Sequence, residues 1–247
     1  MAPAVLKRLT ARDARLSNFR FYDLLVHIFV VILLISNLVG QKMCIIPFIR
    51  VFGHVPEVSG AQLLFPLTYI FGNVFTEVYG YGASRRAIWI AFCSNILMTL
   101  VGVSVVSFPA APSWPNQKAF EAVFYVVPRF VVASLVAFWA GEFTNSYTLA
   151  KMKLWTEGRW LWTRTVGSTI TGQLVDTITV IFIAFVGRAA WSDIVNLMIS
   201  GYVFKVVYEV LATPATYWVV NTLKRAEGID VYDRGTNFSP FARTVHS

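Results

Sequence analysis

Four stretches of this chain carry polar side chains at i, i+4, i+7 and i+8, a spacing that gathers them on one face of a helix. They are Tyr69, Asn73, Thr76 and Glu77; Phe138, Glu142, Asn145 and Ser146; Thr169, Gln173, Asp176 and Thr177; and Gly201, Lys205, Tyr208 and Glu209. Carboxylates on such faces accept donors, whereas amides and ammonium groups donate to ring oxygens, so the set suits binding of a polar molecule. Two of the stretches are close copies. Gly141, Glu142, Asn145 and Ser146 match Gly172, Gln173, Asp176 and Thr177 at an offset of 31 residues, a weak internal repeat of the kind found in transporter cores.

These faces are embedded in a chain of 247 residues that is 56% hydrophobic and only 14% charged, where a soluble domain carries about 25% charged residues. Mean hydropathy is +0.60. Long stretches with almost no charge alternate with short basic clusters, the layout of an all-α polytopic membrane protein. Six segments approach the ~20 apolar residues that a spanning helix needs. They run over Tyr22–Gln41, Gln62–Tyr79, Ala87–Phe108, Glu121–Gly141, Thr165–Gly187 and Ile194–Leu223, with a loop at Pro109, Pro112 and Pro115. Runs such as Ile28 to Ile35 do not alternate in polarity, which argues against a β-barrel. Small residues at Ala133, Ala137 and Gly141 supply a surface on which another helix can pack closely.

The flanking charges give an orientation. Of 21 Lys and Arg residues, 15 fall on one side, including Arg12, Arg15, Arg85, Arg86, Lys153, Arg164, Lys224 and Arg243. Four, Lys42, Arg50, Lys118 and Arg188, fall on the other. The bias places both termini in the cytoplasm and divides the chain into a basic N-terminal arm (1–21), a six-helix membrane domain (22–223) and a C-terminal tail (224–247). The basic start resembles a signal peptide, but the apolar run is long and offers no small-x-small cleavage site, so a retained first helix is expected. A net charge of +8 is thus topogenic, and nucleic-acid binding is not expected.

Ionisable groups deep in a bilayer cost about 2.5–3.5 kcal/mol each on insertion scales and normally face a protein interior or a wet cavity. Asp176, Lys205 and Glu209 are the deepest by count. Arg129 falls about 10 Å inside its span at about 1.5 Å per residue, and the four charges make a neutral internal network. Lys205 and Glu209 could instead pair along one helix. Asp176 has no charged neighbour within a turn, and Glu77 and Glu142 sit nearer the cytoplasmic ends. His27 is read as a packing residue. Cys44 and Cys93 form no disulfide framework or zinc site, and the chain lacks a phosphate loop, an HExxH motif and a dinucleotide fingerprint. No cofactor is expected, and any use of ATP would require a partner.

Three stretches carry a family likeness: FPLTYIFGNVFTEVYGYGASRRAIWIAFCSN (Phe65 to Asn95), AGEFTNSYTLAKMK (Ala140 to Lys153) and RTVGSTITGQLVDT (Arg164 to Thr177). Over about Leu24 to Val220 the chain resembles the queuosine precursor transporters, also described as vitamin uptake transporters of the bacterial inner membrane. The resemblance implies import of a 7-deazaguanine such as 7-cyano-7-deazaguanine for modification of transfer RNA. It implies no enzymatic activity and leaves a homo-oligomer open. The substrate-binding residues expected on this basis are Asn73, Glu77, Arg129, Glu142, Asn145, Gln173, Asp176, Lys205 and Glu209, with Trp139, Tyr69 or Tyr208 available to stack on the ring. The runner-up is the substrate-binding subunit of a multi-component vitamin transporter that depends on an ATPase. A membrane enzyme acting on a lipid or isoprenoid would need a nucleophile and base within reach, and none is evident.

Overall fold

A computed structural model describes residues 7–10, 19–40, 42–45, 57–124, 128–187 and 190–242. Arg12, Arg15, Arg50, Arg188 and Arg243 of the charge count, and Gln41 at the end of the first expected span, lie outside the described residues. Strand β1 (Lys7–Thr10) leads to α1 (Tyr22–Val39), and the short antiparallel pair β2 (Met43–Ile45) and β3 (Glu57–Ser59) connects it to α2 (Gly60–Val74). After a π-helical turn (Phe75–Tyr79) come α3 (Tyr81–Val106), α4 (Gln117–Phe124), α5 (Pro128–Trp155), α6 (Leu161–Phe185), α7 (Trp191–Glu227) and β4 (Ile229–Tyr232).

The helices pack into one bundle whose outer surface is apolar. Leu97, Leu100, Ile178, Phe182, Val203 and Leu211 are exposed, as expected where lipid replaces water as the solvent. Exposed tryptophans gather at helix ends: Trp155, Trp160 and Trp162 around the turn between α5 and α6, Trp114 and Trp191 at the opposite ends. This is the distribution of an interfacial aromatic belt. Among the described residues, five helices are long and apolar enough to cross a membrane by length and composition. The second expected span, Gln62–Tyr79, is interrupted: α2 holds only 15 residues before its hydrogen bonding widens into the buried π turn. The fourth, expected over Glu121–Gly141, falls within a longer candidate span, Gln117–Trp155. Residues 125–127 inside it lie outside the described residues, and the helix runs on to Trp155 because the polar residues after Gly141 face protein rather than water.

The repeat is a packing device. A Cβ on Gly141 would lie 2.8 Å from Asp176 Cβ and one on Gly172 would lie 2.7 Å from Asn145 Cβ, so each glycine seats the other copy's polar residue. Helices α5 and α6 therefore cross antiparallel with the two copies related by an approximate two-fold, the arrangement of an inverted repeat. Ala133 and Ala137 are buried, as the small-residue surface required. Gly72, Asn73, Thr76 and Glu77 on α2 and the π turn present the same order of glycine and polar residues, a further copy that the spacing alone did not expose.

At one end of the bundle, β1 pairs in parallel with β4, Lys7 opposite Ile229 and Thr10 opposite Tyr232. The segment that follows β4 lies over the helix ends. Arg85 donates to the carbonyls of Asn237 and Ser239, Trp89 Nε1 to that of Pro240, and Tyr81 to that of Phe238. Phe241 packs against Trp89 and Trp139. Residues near both termini thus share one end of the bundle and cover it.

Candidate functional site

Helices α2, α5, α6 and α7 bring their polar faces together in the core. Asn73 Nδ2 donates to Glu209 Oε1 at 2.9 Å, and Asn73 Oδ1 accepts from Asn145 Nδ2 at 3.1 Å and from Ser168 Oγ at 3.5 Å. This chain of bonds fixes the orientation of both amides, so Asn145 Oδ1 points away from Asn73. On the other side of the α6–α7 contact, Lys205 Nζ lies 2.5 Å from Asp176 Oδ2. Pairing of Lys205 with Glu209 along their own helix is therefore superseded by contacts to two other helices.

Several oxygens in this core have no donor. Both oxygens of Glu142, Asn145 Oδ1, Thr169 Oγ1, Gln173 Oε1, Thr177 Oγ1 and Glu209 Oε2 are buried and without a hydrogen-bond partner among the described residues. Native proteins pair nearly all such atoms, and each exception calls for an explanation. Glu142 is the sharpest, because it is only 1% exposed and an unpaired buried carboxylate is among the costliest groups to hold. Its position is set by a close approach: a Cβ on Gly72 would fall 2.6 Å from Glu142 Oε2 and 3.5 Å from Asn145 Nδ2. Tyr69, buried one helical turn before Asn73, lies within the electrostatic reach of Asp176, Glu142 and Glu209. The unfilled capacity is thus almost wholly acceptor capacity, suited to a molecule that offers N–H donors.

Seven of the nine residues expected to bind substrate share this core: Asn73, Glu142, Asn145, Gln173, Asp176, Lys205 and Glu209. Two are elsewhere. Arg129 donates through Nε to the Ile183 carbonyl and through Nη2 to the Val186 carbonyl at 2.7 Å. It caps the C-terminal end of α6, where a cation meets the negative end of the helix dipole. The neutral network of four charges is accordingly not formed. Of the stacking candidates, Trp139 packs against Trp89, Phe143 and Phe241, and Tyr208 is 37% exposed; Tyr69 alone of the three is in the core.

Glu77 lies one turn beyond Asn73 and is fully engaged. Arg164 grips it bidentately, Nε to Oε2 at 2.7 Å and Nη2 to Oε1 at 2.8 Å, while Lys224 lies 2.5 Å and Lys153 3.4 Å from Oε1. Asp230 of β4 joins the same cations, 2.7 Å from Lys153 and 2.6 Å from Lys224. Burial pushes the Asp230 carboxyl up, but the two ammonium groups outweigh it and hold the group below its ordinary range. Lys153 also donates to the carbonyls of Glu77 and Val231 at 2.7 Å each. Five charges thus tie the π turn, α5, α6, α7 and β4 together. Counting Lys153, Arg164 and Lys224 as loop charges missed this lock. The available signal was the buried acid at Glu77 with cations at three helix ends.

Among the described residues no group of three or more His, Cys, Asp or Glu side chains could hold a metal ion. His27 bonds through Nδ1 to the Asp23 carbonyl one turn earlier on α1 and is exposed.

Residues 59–219 match the protein family described as "Putative vitamin uptake transporter". The chain is 28% identical over 214 residues to a protein of Bacillus subtilis (strain 168) described as "Probable queuosine precursor transporter", covering 81% of this chain and 93% of the relative. It is 25% identical over 121 residues to the "Queuosine precursor transporter" of Escherichia coli (strain K12), covering 49% of this chain and 52% of that protein. No solved structure matches significantly.

Proposed function

We propose that this chain, which belongs to the vitamin uptake transporter family, imports a 7-deazaguanine precursor of queuosine, such as 7-cyano-7-deazaguanine, through the polar core between α2, α5, α6 and α7. It is a transporter rather than an enzyme, and its apolar helices and bacterial relatives make it a multi-pass protein of the bacterial inner membrane. The names of the two relatives support the substrate class.

The observation that carries the reading is Glu142, buried with both oxygens unpaired. A guanine-like edge presents N1–H and an exocyclic amine side by side, and one carboxylate accepts that pair as it accepts the fork of an arginine. The ring carbonyl O6 requires a donor, which the Gln173 amide or the Lys205 ammonium supplies. The Tyr69 ring offers a face to the flat base. Substrate thus provides donors for these unpaired acceptors, and the neutral polar groups of the same faces orient it.

In this reading the interrupted α2 and its π turn form a sixth crossing, and both termini are cytoplasmic, in keeping with the 15 against four distribution of basic residues and with β1 and β4 sharing one end. The Glu77 lock then closes the cytoplasmic side and must open for release, so the chain alternates access around the core. Asn73 and Glu77 sit one turn apart on the same element, so a substrate that rearranges Asn73 acts directly on the segment holding the lock.

The test is queuosine in transfer RNA of cells that cannot make the precursor, supplied with low external 7-cyano-7-deazaguanine. The protein restores modification, and Glu142→Gln restores much less at equal membrane abundance. Failure of the wild-type chain to restore queuosine despite confirmed membrane expression would refute the substrate assignment.

A further inference from the structure

The core is unbalanced in charge. Three carboxylates, Glu142, Asp176 and Glu209, meet one ammonium, Lys205, among the described residues of this cluster. Asp176 has Lys205 at 2.5 Å, and Glu209 has the Asn73 amide at 2.9 Å. Glu142 has neither a cation nor a donor. The groups that act on it electrostatically are Asp176 on α6 and Glu209 on α7, both acids, with the Tyr69 hydroxyl on α2 in the same environment. Arg129, which could have balanced the set, is committed to the end of α6.

A neutral base supplies hydrogen bonds to Glu142 but no charge. An ionised carboxylate sealed away from water beside two others is unfavourable by many kcal/mol unless a positive charge comes with it. From this we infer that the core takes up one positive charge at Glu142 together with its substrate, and that this charge crosses the membrane with the cargo. The inference rests on the transport reading above. Other oxygens of the polar faces suit such a charge: Asn145 Oδ1, Thr169 Oγ1, Gln173 Oε1 and Thr177 Oγ1 are buried, neutral and unpaired among the described residues. They are the hard oxygen donors that a small cation or an ammonium group needs beyond a single carboxylate. The charge has three chemical sources, namely a proton on Glu142, a sodium-sized cation beside it, or an ammonium group on the substrate itself.

The full-length chain in liposomes separates these. Exchange of labelled for unlabelled 7-cyano-7-deazaguanine at zero potential reports transport alone. An inside-negative potential of about 100 mV is worth about 2.3 kcal/mol per charge, an accumulation ratio of about 50-fold. The expected result is that this potential drives net uptake towards that ratio and that Glu142→Gln loses the response. Replacement of a potential by a pH gradient or by a sodium gradient identifies the proton or the cation. If the neutral base ignores the potential but its aminomethyl relative follows it, the charge is the substrate's ammonium.

Exchange without any response of either base to potential, pH gradient or sodium would overturn the inference while leaving transport in place. An unaltered response in Glu142→Gln would overturn the assignment to that residue. Absence of exchange in the wild type would refute the transport reading on which it rests. A second readout needs no transport: thermal unfolding in detergent at constant ionic strength shifts with sodium, with pH or with the aminomethyl base in the wild type, and the matching shift is absent in Glu142→Gln.

Discussion

Two charged clusters stand a few turns apart in this molecule and are built to opposite rules. At the end of the bundle covered by β1, β4 and the tail, Glu77 is gripped by Arg164, Lys224 and Lys153, and Asp230 braces the two lysines. In the core, Glu142 has two bare oxygens, and Asn145, Thr169, Gln173, Thr177 and Glu209 add one each. Both acids are buried, and both lie on polar faces of the same spacing. The difference is what the helix ends supply: cations at the termini of α5, α6 and α7 reach Glu77, and none reaches Glu142. A satisfied buried network holds elements in one arrangement, whereas an unsatisfied one keeps acceptor capacity for a ligand.

The comparison is broken most severely at Glu77. Glu77→Ala leaves Lys153 and Lys224 to Asp230 alone and Arg164 without its carboxylate, and removal of one partner from a buried network costs about 3–5 kcal/mol. A large fall in thermal stability or in yield of folded protein is expected in detergent, beyond any change in substrate handling. At Glu142 the expectation reverses. Glu142→Gln strands no partner, so its unfolding temperature stays near that of the wild type, while uptake falls by tenfold or more, as loss of charge-assisted hydrogen bonds worth about 1.5–3 kcal/mol requires.

Asp176→Asn mixes the two behaviours because Lys205 is left without its carboxylate. Stability and uptake both fall, and adding Lys205→Met recovers stability but not uptake, as a double-mutant cycle on unfolding and transport would show. Arg129→Ala removes donors to two carbonyls at the end of α6. It costs about 1 kcal/mol and leaves the substrate concentration for half-maximal uptake unchanged. The smallest effect is at the strap. Because Asp230 is held below its ordinary range, its stabilisation is complete above the unfolded carboxyl value and is lost as pH falls through the lower folded value. Asp230→Asn therefore flattens the acid limb of stability, measured below about pH 4, without altering behaviour at neutral pH except for a lower plateau.

Hydropathy and helical spacing are local properties, so the apolar helices and the polar faces of α2, α5, α6 and α7 were legible before any coordinates. The repeat around Gly141 and Gly172 was legible too, but not its meaning, which depends on each glycine facing the other copy. Arg129 was read into the core network because position along a span does not say which neighbour a side chain meets; it turns to the end of α6, where the Ile183 and Val186 carbonyls need donors. The lock was hidden for a related reason. Helices α5 and α7 continue past their apolar stretches to Trp155 and Glu227, carrying Lys153 and Lys224 into contact with Glu77 from positions that a residue count assigns to loops. The β1–β4 pairing joins opposite ends of the chain, and nothing in four-residue strands specifies a partner so distant.

The central claim is that the unpaired core acid, not the paired one, meets the substrate. Its most direct test is equilibrium binding of 7-cyano-7-deazaguanine to purified Glu142→Gln beside the wild type, with unfolding temperature recorded on the same samples. The expected result is binding weakened tenfold or more with the unfolding temperature retained; wild-type affinity in Glu142→Gln would contradict the account.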